Sequence, residues 1–398
     1  MSIAPFSVSR LPRIVFGEGR LQDIPQLATG YGPRVLLVRG RQAVCGSPQW
    51  PPLIEALERQ GANIHQTVVE DEPSPKLVDE TVAAFRHEGI DVVVGIGGGS
   101  VLDAAKAIAG LLPSGRSVMD HLEGVGRDIP YQGPATPLIL APTTAGTGSE
   151  ATKNAVLSVR GTEGFKKSFR DEALVAEYAV VDPELLASCP PALIAANGMD
   201  ALTQLMESYV SSRANPMIDA LALSGVAAIK GGFFAAWEGG DSDTARAGRS
   251  AMAYAATLSG ITLAQVGLGS VHGLASPLGA FFPIPHGVVC GTLLAAATEV
   301  NIRSLTDREP DNPALEKYAH LGRLLSDQPE ADRDTALDQL VQTLSDWVQR
   351  MDIPRLGDYD ISEADFGRIV ANSRGSSMRT NPIVLEDHEI RQILEARL

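Results

Sequence analysis

The stretch "DVVVGIGGGSVLDAAKAIA", Asp91 to Ala109, runs from β-branched residues through a glycine loop into an amphipathic helix without a break. A strand feeding a helix through a glycine turn is the repeating unit of a parallel α/β sheet. Upstream, "RVLLVRG" at Arg34 to Gly40 predicts a buried strand and "WPPLIEALERQG" a helix closed by Gly61. "NIHQTVVE" then reads as a strand and "PKLVDETVAAFRHEG" as a helix ending at Gly89. The order βαβαβ implies a parallel sheet with helices on both faces. Downstream, past "YAVVDPELLASCPP", the texture changes to Ala- and Leu-rich helical patterns from about Pro191. The expectation is therefore an α/β dinucleotide-binding domain over 1–190 and an all-α domain over 191–398, with ligands in the cleft between them.

The glycine loop places Gly97, Gly98, Gly99 and Ser100 ahead of a helix expected to start around Val101. Glycines let backbone approach a phosphate, and first-turn amides point the positive end of the helix dipole at it. The spacing is neither that of the Rossmann fingerprint nor that of a P-loop. Taken alone it reads either as a pyrophosphate cradle or as a turn whose glycines ease helix–strand packing. A second loop, "APTTAGTGSEAT", follows the apolar run "PLIL" and offers Thr143, Thr144 and Thr147. Two such loops after two strands of one sheet favour a nucleotide.

In "NGMDALTQLMESYVS", Asp200 and Gln204 stand four residues apart, on one face if the segment is helical. A carboxylate suits a metal there, whereas a neutral amide oxygen binds iron or zinc less well than imidazole. Either the site has lost a ligand or this is an ordinary amphipathic helix.

Bulk properties narrow the function class. The 398 residues carry a formal net charge of -15 and 44% hydrophobic residues, and the pI is about 4.9. An acidic chain disfavours nucleic acid and anionic membranes as partners. Cys45, Cys189 and Cys290 are widely spaced and form no CxxC pair, so neither a disulfide framework nor a cysteine zinc site is expected, and a reducing cytoplasm is. The start "MSIAPFSVSRLPRIVFGEG" lacks a basic segment followed by an apolar core, so no signal peptide is expected. The apolar stretches at 220–237 and 288–297 are interrupted by Lys230 or too short to span a bilayer. A soluble protein is the expectation.

The chain resembles the iron-containing (type III) alcohol dehydrogenase family over nearly its whole length. The resemblance rests on "GIGGGSVLDAAKAIA", "PTTAGTGSEAT", "VVDPELLASCPP", "NGMDALTQLMESYVS", "GLGSVHGLASPLGAFFPIPHG" and "NPIVLEDHEIRQIL", in family order. It implies a Rossmann-like N-terminal domain and a helical C-terminal domain, the dehydroquinate synthase-like fold. It further implies that Gly97, Gly98, Gly99 and Ser100 hold a pyrophosphate with Thr143, Thr144, Thr147 and Asp103 nearby, and that Lys166, next to Lys167, reaches the cofactor. In NAD-preferring members an acidic residue follows the first strand; here Gly40 takes that position between Arg39 and Arg41. Loss of the carboxylate beside guanidinium groups favours a 2′-phosphate, hence NADP(H) over NAD(H).

For the metal, the resemblance implies Asp200, His272 and His286 as ligands, with Gln204 at the fourth position where iron-dependent members carry histidine. Ser276 replaces a family histidine that relays the alcohol proton. Three protein ligands with an open position is a catalytic zinc arrangement, and glycerol dehydrogenases of the superfamily resemble it, so zinc is favoured over iron. Asn154, Leu263 and Phe282 match substrate-pocket positions. His65, His87, His121, His320 and His388 are expected to have no catalytic part. The resulting expectation is a metal-dependent alcohol dehydrogenase or aldehyde reductase, working as a homodimer or higher oligomer on a small or medium alcohol or aldehyde. A dehydroquinate-synthase-like lyase and a metal-free, degenerate relative are the alternatives.

Overall fold

The computed structural model describes residues 3–41, 44–161 and 164–398. Its N-terminal part is a six-stranded, wholly parallel sheet in the order β1-β8-β5-β4-β2-β3. The strands are β1 (Arg13–Phe16), β2 (Arg34–Gly40), β3 (Asn63–Val69), β4 (Val92–Gly97), β5 (Leu138–Pro142) and β8 (Tyr178–Val181). Between them run α1 (Ile24–Thr29), α2 (Trp50–Arg59), α3 (Pro75–Phe85) and α4 (Gly99–Leu111). All six residues of β4 and four consecutive residues of β2 are buried, because helices cover the sheet on both faces. One apolar cluster packs α3 and α4 on one face; another packs α1 and α2 on the other.

An antiparallel hairpin, β6 (Asn154–Val159) with β7 (Phe165–Arg170), stands outside this sheet. The βαβ alternation does not signal it, since these strands pair only with each other and occupy the connection between β5 and β8, where a helix would be expected.

The remaining chain is helical: α5 (Pro191–Val210), α6 (Pro216–Glu238), α7 (Asp243–Val266), α8 (Ser270–Phe281), α9 (His286–Arg308), α10 (Ala314–Ser326), α11 (Arg333–Arg350), α12 (Glu363–Asn372) and α13 (Asp387–Glu395). Helix α5 is not the amphipathic helix that its sequence allows, because every residue from Gly198 to Val210 is buried. It is the axis of the helical core, packed against α6, α7 and α9. One sequence expectation is corrected here: α6 and α9 are each 23 residues long and apolar enough to cross a membrane by length and composition. Folding extends the two apolar stretches into full helices, and Lys230 does not break α6. The apolar window of α9 is 83% buried within the protein, and that of α6 39%.

Candidate metal centre and cofactor loops

The glycines divide into two jobs. A Cβ on Gly95 would lie 2.7 Å from the Cβ of Ala105, and one on Gly97 2.5 Å from Val101, so these two let α4 lie directly on the sheet. Gly98 is the N-cap of α4, and no side chain caps that end. The helix begins at Gly99, two residues ahead of the sequence reading, so Gly99 and Ser100 lie in its first turn. Uncapped first-turn amides are an anion site in waiting.

The second loop closes over the first. The Thr143 amide donates to the Gly97 carbonyl (2.9 Å), and Cβ atoms on Gly98 and Gly99 would meet Thr144 at 3.4 Å and Thr147 at 2.7 Å. The threonines and glycines expected to hold the cofactor therefore share one surface. Asp103 stands behind it: its carboxylate accepts from the Ser149 hydroxyl (2.6 Å) and the Val156 amide (3.1 Å) and pairs with Lys106 at 2.9 Å. Lys106 is fully buried and also donates to the Ser149 carbonyl, the Thr152 hydroxyl and the Asn154 carbonyl. Burial pushes the Lys106 ammonium down, while Asp103 and Glu150 push it up. Asp103 thus holds the two loops in register, with both oxygens committed to protein groups. The loop also reaches the helical part, because Gly148 adopts φ +57 and leaves no room for a Cβ against Gly260 of α7 (2.4 Å).

Buried α5 carries the metal-type residues. Asp200 lies 3.3 Å from His272 Nε2 and 3.8 Å from His286 Nε2. Helix α8 supplies His272, and the first residue of α9 is His286. Cys290, one turn further along α9, is 0% exposed; its Sγ is 3.7 Å from His272 Nε2 and 3.8 Å from His286 Nε2. One ligand atom from each of these four residues falls within 4.8 Å of all the others. The cysteine spacings suggest no zinc site; the structure places Cys290 beside the two histidines, because His286 and Cys290 are four apart on one helix.

Glu207, seven residues after Asp200 on α5, binds His272 Nδ1 at 2.7 Å and the Val271 amide at 2.7 Å. A carboxylate only accepts, so His272 carries a proton on Nδ1, which makes Nε2 the ring atom that would face a cation. Sequence reading passed over Glu207, although Asp200, Gln204 and Glu207 follow the i, i+4, i+7 rule for one helix face. Gln204 bonds to protein groups at both ends of its amide. Its Nε2 donates to Asp200 (3.0 Å) and its Oε1 accepts from the Ser259 hydroxyl (2.6 Å). Facing an ionised carboxylate, the amide must present its donor, so its oxygen points away.

The electrostatics leave Asp200 ionised and His286 neutral, while His272 holds a proton that a bound cation would displace. Burial pushes the Asp200 carboxyl up, but His286 and His272 outweigh it and hold it at about 2. Burial takes His286 down to about 4, which leaves a neutral imidazole. Burial also opposes charge on His272, yet Cys290, Glu207 and Asp200 together raise it well above its ordinary value. Two imidazoles, a carboxylate and a sulfur are a donor set for zinc or iron, so the residues present fit a divalent metal. A Glu207→Gln variant should bind that metal about 10-fold to 100-fold more weakly, read by competition with a chromogenic chelator.

Lys166 points inward and pairs with Glu72 at 2.8 Å, close enough to bias His286, while Lys167 is exposed. Asn154, Leu263, Ser276 and Phe282 are half-buried positions on β6, α7, α8 and the end of α8. Gly40 ends β2 beside α4, where a Cβ would meet only Val101 at 3.7 Å. Arg39 bonds Gln66 at 3.0 Å and lies over the Trp50 ring. Arg41 pairs loosely with Glu70 at 3.9 Å, both well exposed.

Such a pairing of dinucleotide loops with a carboxylate–imidazole cluster suits hydride exchange with an alcohol, and comparison with known proteins makes the chain an NAD(P)-dependent alcohol dehydrogenase. The model described as "Iron-containing alcohol dehydrogenase" matches residues 12–183, and the C-terminal model of the same family matches residues 194–398. The chain belongs to the iron-containing alcohol dehydrogenase family. It is 32% identical to Alcohol dehydrogenase 4 of Schizosaccharomyces pombe, over 99% of this chain and 90% of that protein. It is 35% identical to Long-chain-alcohol dehydrogenase 1 of Geobacillus thermodenitrificans, over 85% and 83%. A crystal structure of 1,3-propanediol oxidoreductase superposes with a TM-score of 0.89 at 27% identity, covering 99% of this chain and all of that one.

Proposed function

We propose that the protein is a metal-dependent aldehyde reductase and alcohol dehydrogenase that prefers NADP(H) and acts on small or medium substrates. The observation that carries this reading is the convergence of Asp200, His272 and His286 in one buried cluster. The division of the chain near Pro190 into a nucleotide domain and a metal and substrate domain is part of the same proposal.

When bound, the metal polarises the substrate oxygen as a Lewis acid and the nicotinamide carries the hydride. Everything else falls to the chain. Asp200, His272 and His286 hold the cation; Glu207 fixes the ring of His272, and Gln204 fixes the Asp200 carboxylate. The Gly98–Ser100 turn, Thr144 and Thr147 seat the pyrophosphate. Lys166, turned inward on β7, reaches for the cofactor from the hairpin. Ser276, one turn after His272 on α8, passes the alcohol proton toward solvent. Asn154, Leu263 and Phe282 give the substrate a mainly apolar wall with one polar handle.

A cytoplasmic location is supported by three free cysteines. A homo-oligomer is supported by the edge strand β1, which leaves Ile14 41% and Phe16 38% exposed.

Dialysis against a chelator should abolish NADPH-dependent reduction of an aldehyde panel, and stoichiometric zinc or ferrous iron should restore it. A reductase that keeps its rate in chelator would defeat the metal reading; intact NADPH binding without turnover on any aldehyde would indicate a decayed site.

A further inference from the structure

We propose that Cys290 is the fourth protein ligand of the metal, with the substrate oxygen entering as a fifth, and that this sulfur selects zinc over iron. The inference rests on the reading above that Asp200, His272 and His286 bind a cation.

Geometry carries it. Ligands about 2.05 Å from a tetrahedral zinc stand roughly 3.3 Å apart, and a sulfur at about 2.3 Å stands roughly 3.6 Å from a nitrogen. Four of the six edges are 3.3 Å for Asp200–His272, 3.8 Å for Asp200–His286, and 3.7 and 3.8 Å from Cys290 to the two histidines, and all six lie within 4.8 Å. Small shifts close the cluster on one ion. The rival reading makes Cys290 a buried apolar filler. Such a filler packs against hydrocarbon, but this sulfur faces the Nε2 atoms of two imidazoles and neighbours the Asp200 carboxylate.

Gln204 supplies the second, independent observation. Its amide oxygen is held by Ser259 and its NH2 group faces Asp200, so the residue at the expected ligand position presents a donor where a ligand must present a lone pair. On binding, the S–H bond breaks, the proton leaves to solvent and the sulfur lone pair forms the bond to metal, with no change of oxidation state. Thiolate is a soft donor and favours zinc over an oxygen- and nitrogen-loving ferrous ion.

Cobalt(II) substitution tests this without turnover. The Co(II)-loaded wild type should show an intense near-ultraviolet thiolate-to-metal charge-transfer band, absent from Cys290→Ser, whose zinc affinity should fall by more than the ~10–100-fold typical of losing an outer partner. Gln204→Ala should keep the band. Cobalt bound without the band in the wild type overturns the cysteine assignment but leaves the metal-dependent reading standing. Failure of the wild type to bind cobalt or zinc at all overturns both. Because the wild-type spectrum alone can refute the assignment, poor folding of Cys290→Ser does not shelter it.

Discussion

An Asp200→Ala variant is expected to retain less than about a tenth of the wild-type metal and to lose at least ~1,000-fold in kcat/KM, roughly 4 kcal/mol of transition-state stabilisation. Asp200 is 1% exposed in the buried stretch of α5 and is the group to which both histidines and Gln204 turn. Its removal takes an anionic ligand from the cation. It also strands the Gln204 NH2 group, at about 1–3 kcal/mol for an unsatisfied buried donor. The two effects separate experimentally. Asp200→Asn preserves volume and a hydrogen-bonding oxygen, so its unfolding midpoint should stay nearer the wild type than that of Asp200→Ala, while its metal content should still fall. Elemental analysis of dialysed, tag-free protein with matched thermal melts reads both. Full metal occupancy in Asp200→Ala would show that the cation binds elsewhere.

The inner strands were legible because they are short and β-branched: the predicted runs at Arg34–Gly40 and "NIHQTVVE" coincide with β2 and β3 almost residue for residue. Asp200, His272 and His286 were legible from the motif frames that hold them, and the structure brings them together. What stayed hidden depends on groups distant in sequence. The direction of the Gln204 amide is set by Ser259, on α7. The relation of Cys290 to His286 appears only once α9 is known to begin at His286 itself, since a loop there would have scattered the i, i+4 pair. Asp103 reads as a cofactor contact in a linear motif, yet its oxygens are occupied by Ser149, Lys106 and Val156, two of which lie beyond β5. In each case the sequence names the residue type and tertiary packing decides which partner wins it.

The same logic sharpens the cofactor prediction, because Gly40 is a position where packing leaves room. A Cβ there meets only Val101 at 3.7 Å, ordinary contact distance, so Gly40→Asp should fold as the wild type does. The new carboxylate would stand between Arg39 and Arg41. Arg39 is already committed to Gln66 and the Trp50 ring, whereas the Arg41–Glu70 pair at 3.9 Å is exposed and worth at most about 1 kcal/mol. Arg41 is thus the guanidinium free to turn onto a 2′-phosphate and pair with it in the bidentate manner. Gly40→Asp repels that phosphate and offers an acceptor to the ribose hydroxyls of NADH. The ratio of kcat/KM for NADPH over NADH should therefore drop on the order of 1,000-fold, about 4 kcal/mol, chiefly through KM. Arg41→Ala removes the attraction without adding repulsion, so its ratio should drop by only ~10-fold to 100-fold. If the wild type instead prefers NADH and Arg41→Ala changes nothing, the guanidinium is a solvated surface charge and the 2′-phosphate reading fails.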